Sequence, residues 1–183
     1  MQPVLSHPWD LCEEEASALQ TTLAGLVVTE DRLPAHINTV AGVDVAYEDQ
    51  GTRAFAAVAV FDVVNGKLGQ IVSAEAKSRF PYSPGLLSFR EVPVLAAAFE
   101  KLSKRPDLVI CDGQGIAHPR RLGIAAHLGI LLDIRRMRTH SGDLSGLNLI
   151  HVADRDILGK NLRRHGQGTG RAAGARDFGV PGA

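Results

Sequence analysis

Two tight turn signals decide much of what this chain can become. Glu48-Asp49-Gln50-Gly51 and Asn65-Gly66 each separate runs of small and branched apolar residues. Asn-Gly is the strongest short hairpin signal, because both residues tolerate the positive φ that a two-residue turn demands. Val40-Ala41-Gly42-Val43-Asp44-Val45-Ala46-Tyr47 and Phe55-Ala56-Ala57-Val58-Ala59-Val60-Phe61 read as strands, and Ile71-Val72 opens a third. Strands joined so closely pair antiparallel, so a three-stranded meander is expected.

Helical periodicity frames the meander. Asp10 with Glu13 three residues on is a capping-box-like start, and Leu19, Leu23 and Val27 share one helical face, so residues 11–28 read as a helix. Leu33-Pro34 ends the pattern. Residues 88–104 read as a second helix with Leu95, Ala98, Phe99 and Leu102 inward. Leu108-Val109-Ile110-Cys111 is a short, wholly apolar strand of the kind found at a sheet centre. Gly113-Gln114-Gly115 breaks it, and residues 120–133 read as a third helix. Three antiparallel strands, helix, strand, helix make an α/β layout with one mixed sheet.

With 183 residues the chain suits one domain with one sizeable core. No apolar run reaches the ~18 residues of a membrane span, and Met1 to Asp10 lacks the basic and apolar regions of a secretory signal. Cys12 and Cys111 form no CxxC pair, so neither a disulfide framework nor a cysteine zinc site is expected, and a reducing cytoplasm fits. Net charge is zero, but unevenly spread: residues 1–134 hold 16 acids against 11 Lys and Arg, and residues 135–183 hold 4 against 9. An acidic region still binds nucleic acid where metal ions neutralise part of it and arginines meet phosphate.

Three carboxylates stand out. Asp44 lies inside the first apolar strand, Asp112 ends the central strand, and Glu91 lies one turn into the second helix. Each has an ordinary reading: a strand-end turn residue for Asp112, service to the helix dipole for Glu91, a paired strand carboxylate for Asp44. If the three converge, their oxygens are the donors Mg²⁺ prefers, and phosphodiester hydrolysis is the chemistry such a cluster suits. His118 is able to touch phosphate or move a proton, or is simply a satisfied histidine. Arg120-Arg121 near a helix start oppose the dipole, which fits contact with phosphate outside the fold as well as a solvated pair. Pro81 and Pro84 stiffen a loop that carries Tyr82, whose ring is suited either to wedging into a base stack or to packing the loop on the core. Gly85, Gly113 and Gly115 allow close backbone approach.

These residues fall in long motifs that resemble the endonuclease V family. Gly42-Val43-Asp44-Val45-Ala46-Tyr47 is similar to its first strand. Pro81-Tyr82-Ser83-Pro84-Gly85-Leu86-Leu87-Ser88-Phe89-Arg90-Glu91 resembles its wedge and catalytic glutamate. Residues 106–123, Pro-Asp-Leu-Val-Ile-Cys-Asp-Gly-Gln-Gly-Ile-Ala-His-Pro-Arg-Arg-Leu-Gly, resemble its central motif. The resemblance runs from about Leu11 to Ile134. It implies a ribonuclease H-like fold and a Mg²⁺-dependent endonuclease (Mn²⁺ being the other candidate) that cuts the second phosphodiester bond 3′ to deoxyinosine and leaves 3′-hydroxyl and 5′-phosphate ends. Some members act on inosine in RNA. By the same resemblance Asp44, Glu91 and Asp112 hold the metal and His118 sits near base and metal. Tyr82, between Pro81 and Pro84, fills the gap left by the flipped base. Gly85, Leu87 and Gly113 form the hypoxanthine pocket, with Gly115 and Arg120 beside them. The expected partner is deoxyinosine DNA, met by a monomer that needs no membrane.

Past Ile134 the resemblance lapses. The family continues with a strand carrying Gly-x-Ala-Lys and ends on a further helix, whereas here Arg135-Arg136-Met137-Arg138-Thr139-His140 follows. Of the last 49 residues, 17 are Arg or Gly, and only Leu144 to Leu158 holds a usable apolar pattern. A nuclease domain over 1–134 and a largely irregular tail over 135–183 are expected, with no strand matched in the tail. A shifted reading frame accounts for that composition, since one base later Arg136 to His140 permits Gly-Cys-Ala-Arg-Thr. The alternative function is a weak or inactive remnant that only binds inosine-containing or branched nucleic acid. A junction resolvase fits less well, because it has no need of a wedge at Tyr82.

Overall fold

The computed structural model describes residues 1–29 and 36–134, together with the backbone of 137–140 and 149–152. Chain order is α1 (Glu13–Ala24), β1 (Val27–Val28), β2 (Thr39–Glu48), β3 (Arg53–Asp62), β4 (Lys67–Lys77), α2 (Leu87–Glu100), β5 (Leu108–Asp112), α3 (Ile124–Leu132), β6 (Met137–His140) and β7 (Leu149–Val152). A one-turn 3₁₀ segment, Asp49–Gly51, links β2 to β3. Among the described residues these strands form one sheet in the order β1-β7-β6-β5-β2-β3-β4.

The meander forms as its turns require. Gly66 turns at φ +63°, and Gln50 and Gly51 both take positive φ. β2 and β3 pair antiparallel from Thr39 opposite Asp62 to Glu48 opposite Arg53, and β3 pairs antiparallel with β4. β4 begins at Lys67, earlier than Ile71, because the short turn places Lys67 directly opposite Asp62. β3 alternates as a half-covered strand should, with Ala54, Ala56 and Val58 buried on one face. β5 then enters beside β2 in parallel, Val40 opposite Leu108 and Val43 opposite Cys111. Meander and parallel strand together give the mixed sheet of a ribonuclease H-like fold.

Helices α2 and α3 cover one face of this sheet and pack on each other, while α1 lies against α3. The inward residues expected of α2 are buried: Leu95, Ala98, Phe99 and Leu102, the last just past the helix end at Glu100. α3 is buried along its whole length and starts at Ile124, four residues later than its sequence reads. Arg121 sits at φ +58° and Gly123 is the N-cap, so residues 120–123 form the turn into the helix. α1 is likewise shorter than 11–28. It stops at Ala24 with Gly25 as its C-cap, and Val27-Val28 leaves as a short strand. Its N-cap is Cys12, whose backbone N–H donates to Glu15 Oε2 at 2.9 Å, in place of an Asp10–Glu13 box. Cys12 is exposed and Cys111 buried.

The sheet continues past Ile134, contrary to the expected absence of a strand there. β6 pairs in parallel with the free edge of β5, and β7 returns antiparallel to β6. β1 closes on β7. The rest of the expected irregular tail, residues 135–136, 141–148 and 153–183, lies outside the described residues. Among the described residues no helix is long and apolar enough to cross a membrane.

The N-terminal segment straps the helices together. Val4 N–H donates to Leu131 O at 2.8 Å, and Leu5 is buried. His7 Nε2 meets His127 Nε2 at 2.8 Å, His127 Nδ1 meets Ser88 Oγ at 3.1 Å, and Trp9 stacks on the His127 ring at 5.5 Å. Burial pushes both imidazoles below their ordinary value, His127 well below it; the His7 charge lowers His127 further, while the Pro8 carbonyl partly restores His7. On unfolding both return to about 6.5. The unfolded chain therefore takes up protons first, so the stability these rings hold is complete above about pH 6.5 and drains away as pH falls below it. Thermal melting followed from pH 7.5 to pH 5 is expected to show this loss. A flat melting temperature across that window contradicts it.

Candidate active site

The sheet register sets two of the three carboxylates side by side. Val43 is the partner of Cys111 on adjacent parallel strands, so Asp44 and Asp112, one residue on, stand on the same face by the two-residue period of the pleat. Glu91 comes from the first turns of α2. One cavity of about 160 Å³ is lined by all three, together with Val43, Val45, Leu87, Leu95, Gly113 and Ile124. Apolar side chains thus share the walls with the three carboxylates.

Their environments differ. Asp44 and Asp112 are exposed, so the burial cost expected of a mid-strand carboxylate does not arise at Asp44, whose Oδ1 accepts from Val45 N–H at 2.9 Å. Glu91 is half-buried, and its carboxyl lies above the usual range. Burial is the main cause. Asp44 and Asp112 push the same way, and the Tyr47 hydroxyl and the Arg90 guanidinium oppose them. Tyr47 donates to Glu91 Oε1 at 3.0 Å, and Arg90 lies 4.6 Å from the centre of the Tyr47 ring. Arg90 also donates to Gly51 O at 2.7 Å and Phe80 O at 3.2 Å. Tyr47 and Arg90 thus brace the glutamate. Both fall inside the sequence motifs, yet their residue types alone carry no sign of this role.

Carboxylate oxygens are the donors a hard divalent cation takes, and three lining one cavity fit such an ion by chemistry. As the side chains stand they are not gathered into a ready cluster: among the described residues no group of three His, Cys, Asp or Glu is close enough to grip a metal.

A second group of residues adjoins. Leu86 N–H donates to Ser83 O at 3.0 Å and Gly85 has φ +80°, so Ser83-Pro84-Gly85-Leu86 is a type II turn with proline and glycine where that turn wants them. Pro81 and Pro84 are exposed beside it, and Tyr82 is 71% exposed. The ring therefore does not pack the loop on the core. Facing the turn is the loop 113–123. Arg120 N–H donates to His118 Nδ1 at 3.1 Å, which requires a lone pair there and places the proton of the neutral ring on Nε2. Burial, and then the Arg120 charge, lower the His118 value, while the Gly85 backbone raises it. The imidazole is buried, and among the described residues Nε2 makes no hydrogen bond of good geometry, the Gly85 backbone being the polar group beside it.

Gly115 is buried and shapes this loop from within, its carbonyl accepting from the N–H of His118 at 3.3 Å and of Gly123 at 3.0 Å. Gly113, at φ +104°, is the one glycine of the central motif that reaches the carboxylate cavity. His118, Gly85 and Arg120 do not line it. Arg120 differs from its sequence reading, since it precedes α3 by a full turn and opposes no dipole. Its Nε donates to Gln20 Oε1 at 2.5 Å and its Nη2 to Gly85 O at 2.9 Å, so the guanidinium faces the Gly85 turn.

Comparison with known proteins agrees with these motifs. The family model described as Endonuclease V matches residues 21–137. The endonuclease V of Trichormus variabilis is 48% identical over 134 residues, which are 73% of this chain and 61% of that protein. The chain thus spans less than two thirds of the length of that relative. The crystal structure of endonuclease V from Streptomyces avermitilis is 31% identical with a TM-score of 0.68, covering 82% of this chain and 81% of that one. Ciona intestinalis endonuclease V, solved with a 23mer DNA containing an inosine followed by a ribo-adenosine, is 22% identical with a TM-score of 0.63 over 87% of this chain and 70% of that one, and shares the fold.

Proposed function

The chain belongs to the endonuclease V family, and from that premise we propose that it is a divalent-metal-dependent endonuclease of DNA repair, acting on DNA that contains deoxyinosine. It cuts the second phosphodiester bond 3′ to the lesion and leaves 3′-hydroxyl and 5′-phosphate ends. The observation that carries the reading is the single cavity lined by Asp44, Glu91 and Asp112. Those three would hold Mg²⁺ or Mn²⁺, and a cation so held supplies a polarised phosphate and an activated water.

The remaining residues select and present the substrate. Tyr82 stands clear of the core on a loop stiffened by Pro81 and Pro84, where a ring takes the place of an extruded base. Backbone groups at Gly85, Leu87 and Gly113 meet the hypoxanthine edge, which offers one carbonyl and one N–H. His118 brings a buried Nε2–H that makes no well-formed hydrogen bond among the described residues, and a carbonyl or phosphate oxygen of the substrate completes it. Every residue named comes from one chain, so a monomer suffices. Inosine in RNA presents the same base edge and is the second substrate.

Incubation with a duplex carrying one deoxyinosine and Mg²⁺ tests the reading. A nick at the second 3′ bond, lost on chelation, supports it; neither nicking nor preferential binding of that duplex overturns it. Binding without a nick identifies the alternative, a remnant that recognises but does not cut. Tyr82→Ala is expected to weaken binding of the deoxyinosine duplex by roughly 10-fold or more, the value of one lost base–aromatic stack. Fluorescence anisotropy checks it, and an unchanged dissociation constant removes Tyr82 from the reading.

A further inference from the structure

Helix α1 carries no residue of the proposed site, yet one of its side chains reaches into the site's supports. Gln20 is 1% exposed. Its Nε2 donates to Gly85 O at 3.0 Å and to Leu122 O at 2.6 Å, and its Oε1 accepts from Arg120 Nε. Both amide hydrogens are thereby used, one on each of two loops remote in sequence. Gly85 O also accepts from Arg120 Nη2. One amide and one guanidinium therefore tie the turn that follows Tyr82 to the loop that carries His118, from the buried side.

We propose that Gln20 is a positioning residue that sets the spacing between the Gly85 turn and the His118 loop, and through it the discrimination of the base. The proposal rests on the nuclease reading above. Gly85 sits where a side chain is barred: a Cβ there would lie 2.9 Å from Arg120 Nη2 and 3.4 Å from His118 Nε2. Gln20 and Arg120 hold the two loops at that approach: without Gln20 the buried Leu122 carbonyl loses this donor and Gly85 O keeps only Arg120 Nη2. A pocket that reads a base through backbone groups has no flexible side chains to make up a lost few tenths of an ångström. Gln20 matches no catalytic residue type, and its signal in the sequence is only that of a polar residue on the inward side of an amphipathic helix.

The test uses the full chain and two variants. Gln20→Leu removes every polar contact. Gln20→Glu keeps an acceptor for Arg120 but brings no hydrogen to either carbonyl. The readout is the ratio of dissociation constants for one duplex bearing deoxyinosine and the same duplex bearing deoxyguanosine at that position, a ratio in which a simple loss of folded protein cancels. Both variants are expected to lose most of the wild-type preference, on the order of 10-fold, with faster amide exchange at Leu86 and unchanged exchange in β3. Variants that keep both the wild-type ratio and the Leu86 protection overturn the proposal alone. A wild-type chain that shows no preference between the two duplexes overturns the functional reading and this proposal with it.

Discussion

Asp112→Asn is expected to slow metal-dependent nicking of a deoxyinosine duplex by two to three orders of magnitude (about 10²–10³-fold) while leaving the fold intact. The carboxylate ends β5, is exposed, and shares its cavity with Asp44 and Glu91. The amide is nearly isosteric but takes one negative charge from the set proposed to hold a cation against a phosphate. Loss of one preorganised electrostatic element reduces turnover by about 10²–10³-fold. Stability should move within about 0.5 kcal/mol, as for other exposed substitutions, and in the favourable direction, because Glu91 is relieved of one of the two neighbours that raise its pKa. Single-turnover nicking at saturating Mg²⁺ and thermal melting on the same sample check both halves. A variant that cuts at the wild-type rate removes Asp112 from the proposed metal site. One that fails to melt cooperatively gives it a structural role instead.

Gly123→Ala is expected to cost about 3 kcal/mol or more of stability, a large fraction of what a domain of this size holds in reserve. The Cβ would collide with the carbonyl of Gln114, which is backbone and cannot swing away as a side-chain tip would. Relief requires either the loop 113–123 or the start of α3 to move. Both are pinned at Gly123, whose N–H donates to Gly115 O at 3.0 Å and whose carbonyl receives His127 N–H at 2.9 Å. Overpacking between fixed groups is the costly kind. Urea unfolding followed by circular dichroism measures it. A midpoint equal to that of the wild type shows that the loop yields freely.

The sequence carried the meander and the central strand because their determinants are local. Asn65-Gly66 turns wherever it stands, and Leu108 to Cys111 has nothing polar to expose. The register that sets Asp44 beside Asp112 is not local, since it depends on where β5 slides against β2, and only the family motifs pointed to it. The late start of α3 was missed because Arg121 adopts a left-handed turn that nothing in the residue favours; the signal available was Gly123, a N-cap hidden inside an apolar run. Val27 was read onto the helical face of Leu19 and Leu23, yet Gly25 ends α1 and β7 recruits Val27 as a strand. β6 and β7 owe their pairing to the open edge of β5, so their own residues gave little warning. Gln20 and Tyr47 belong to the same class: each matters through a partner 65 and 44 positions away.

The chain has two cysteines, one capping α1 in solvent and one sealed in the central strand, where burial and nearby carboxylates raise the thiol far above its ordinary value. A maleimide dye at neutral pH therefore reacts at Cys12 and leaves Cys111 untouched, without any engineering of the protein. The label lands at the N-cap of α1, eight positions ahead of Gln20, so paired with a second dye on the DNA strand it becomes a ruler for how closely the lesion is drawn in.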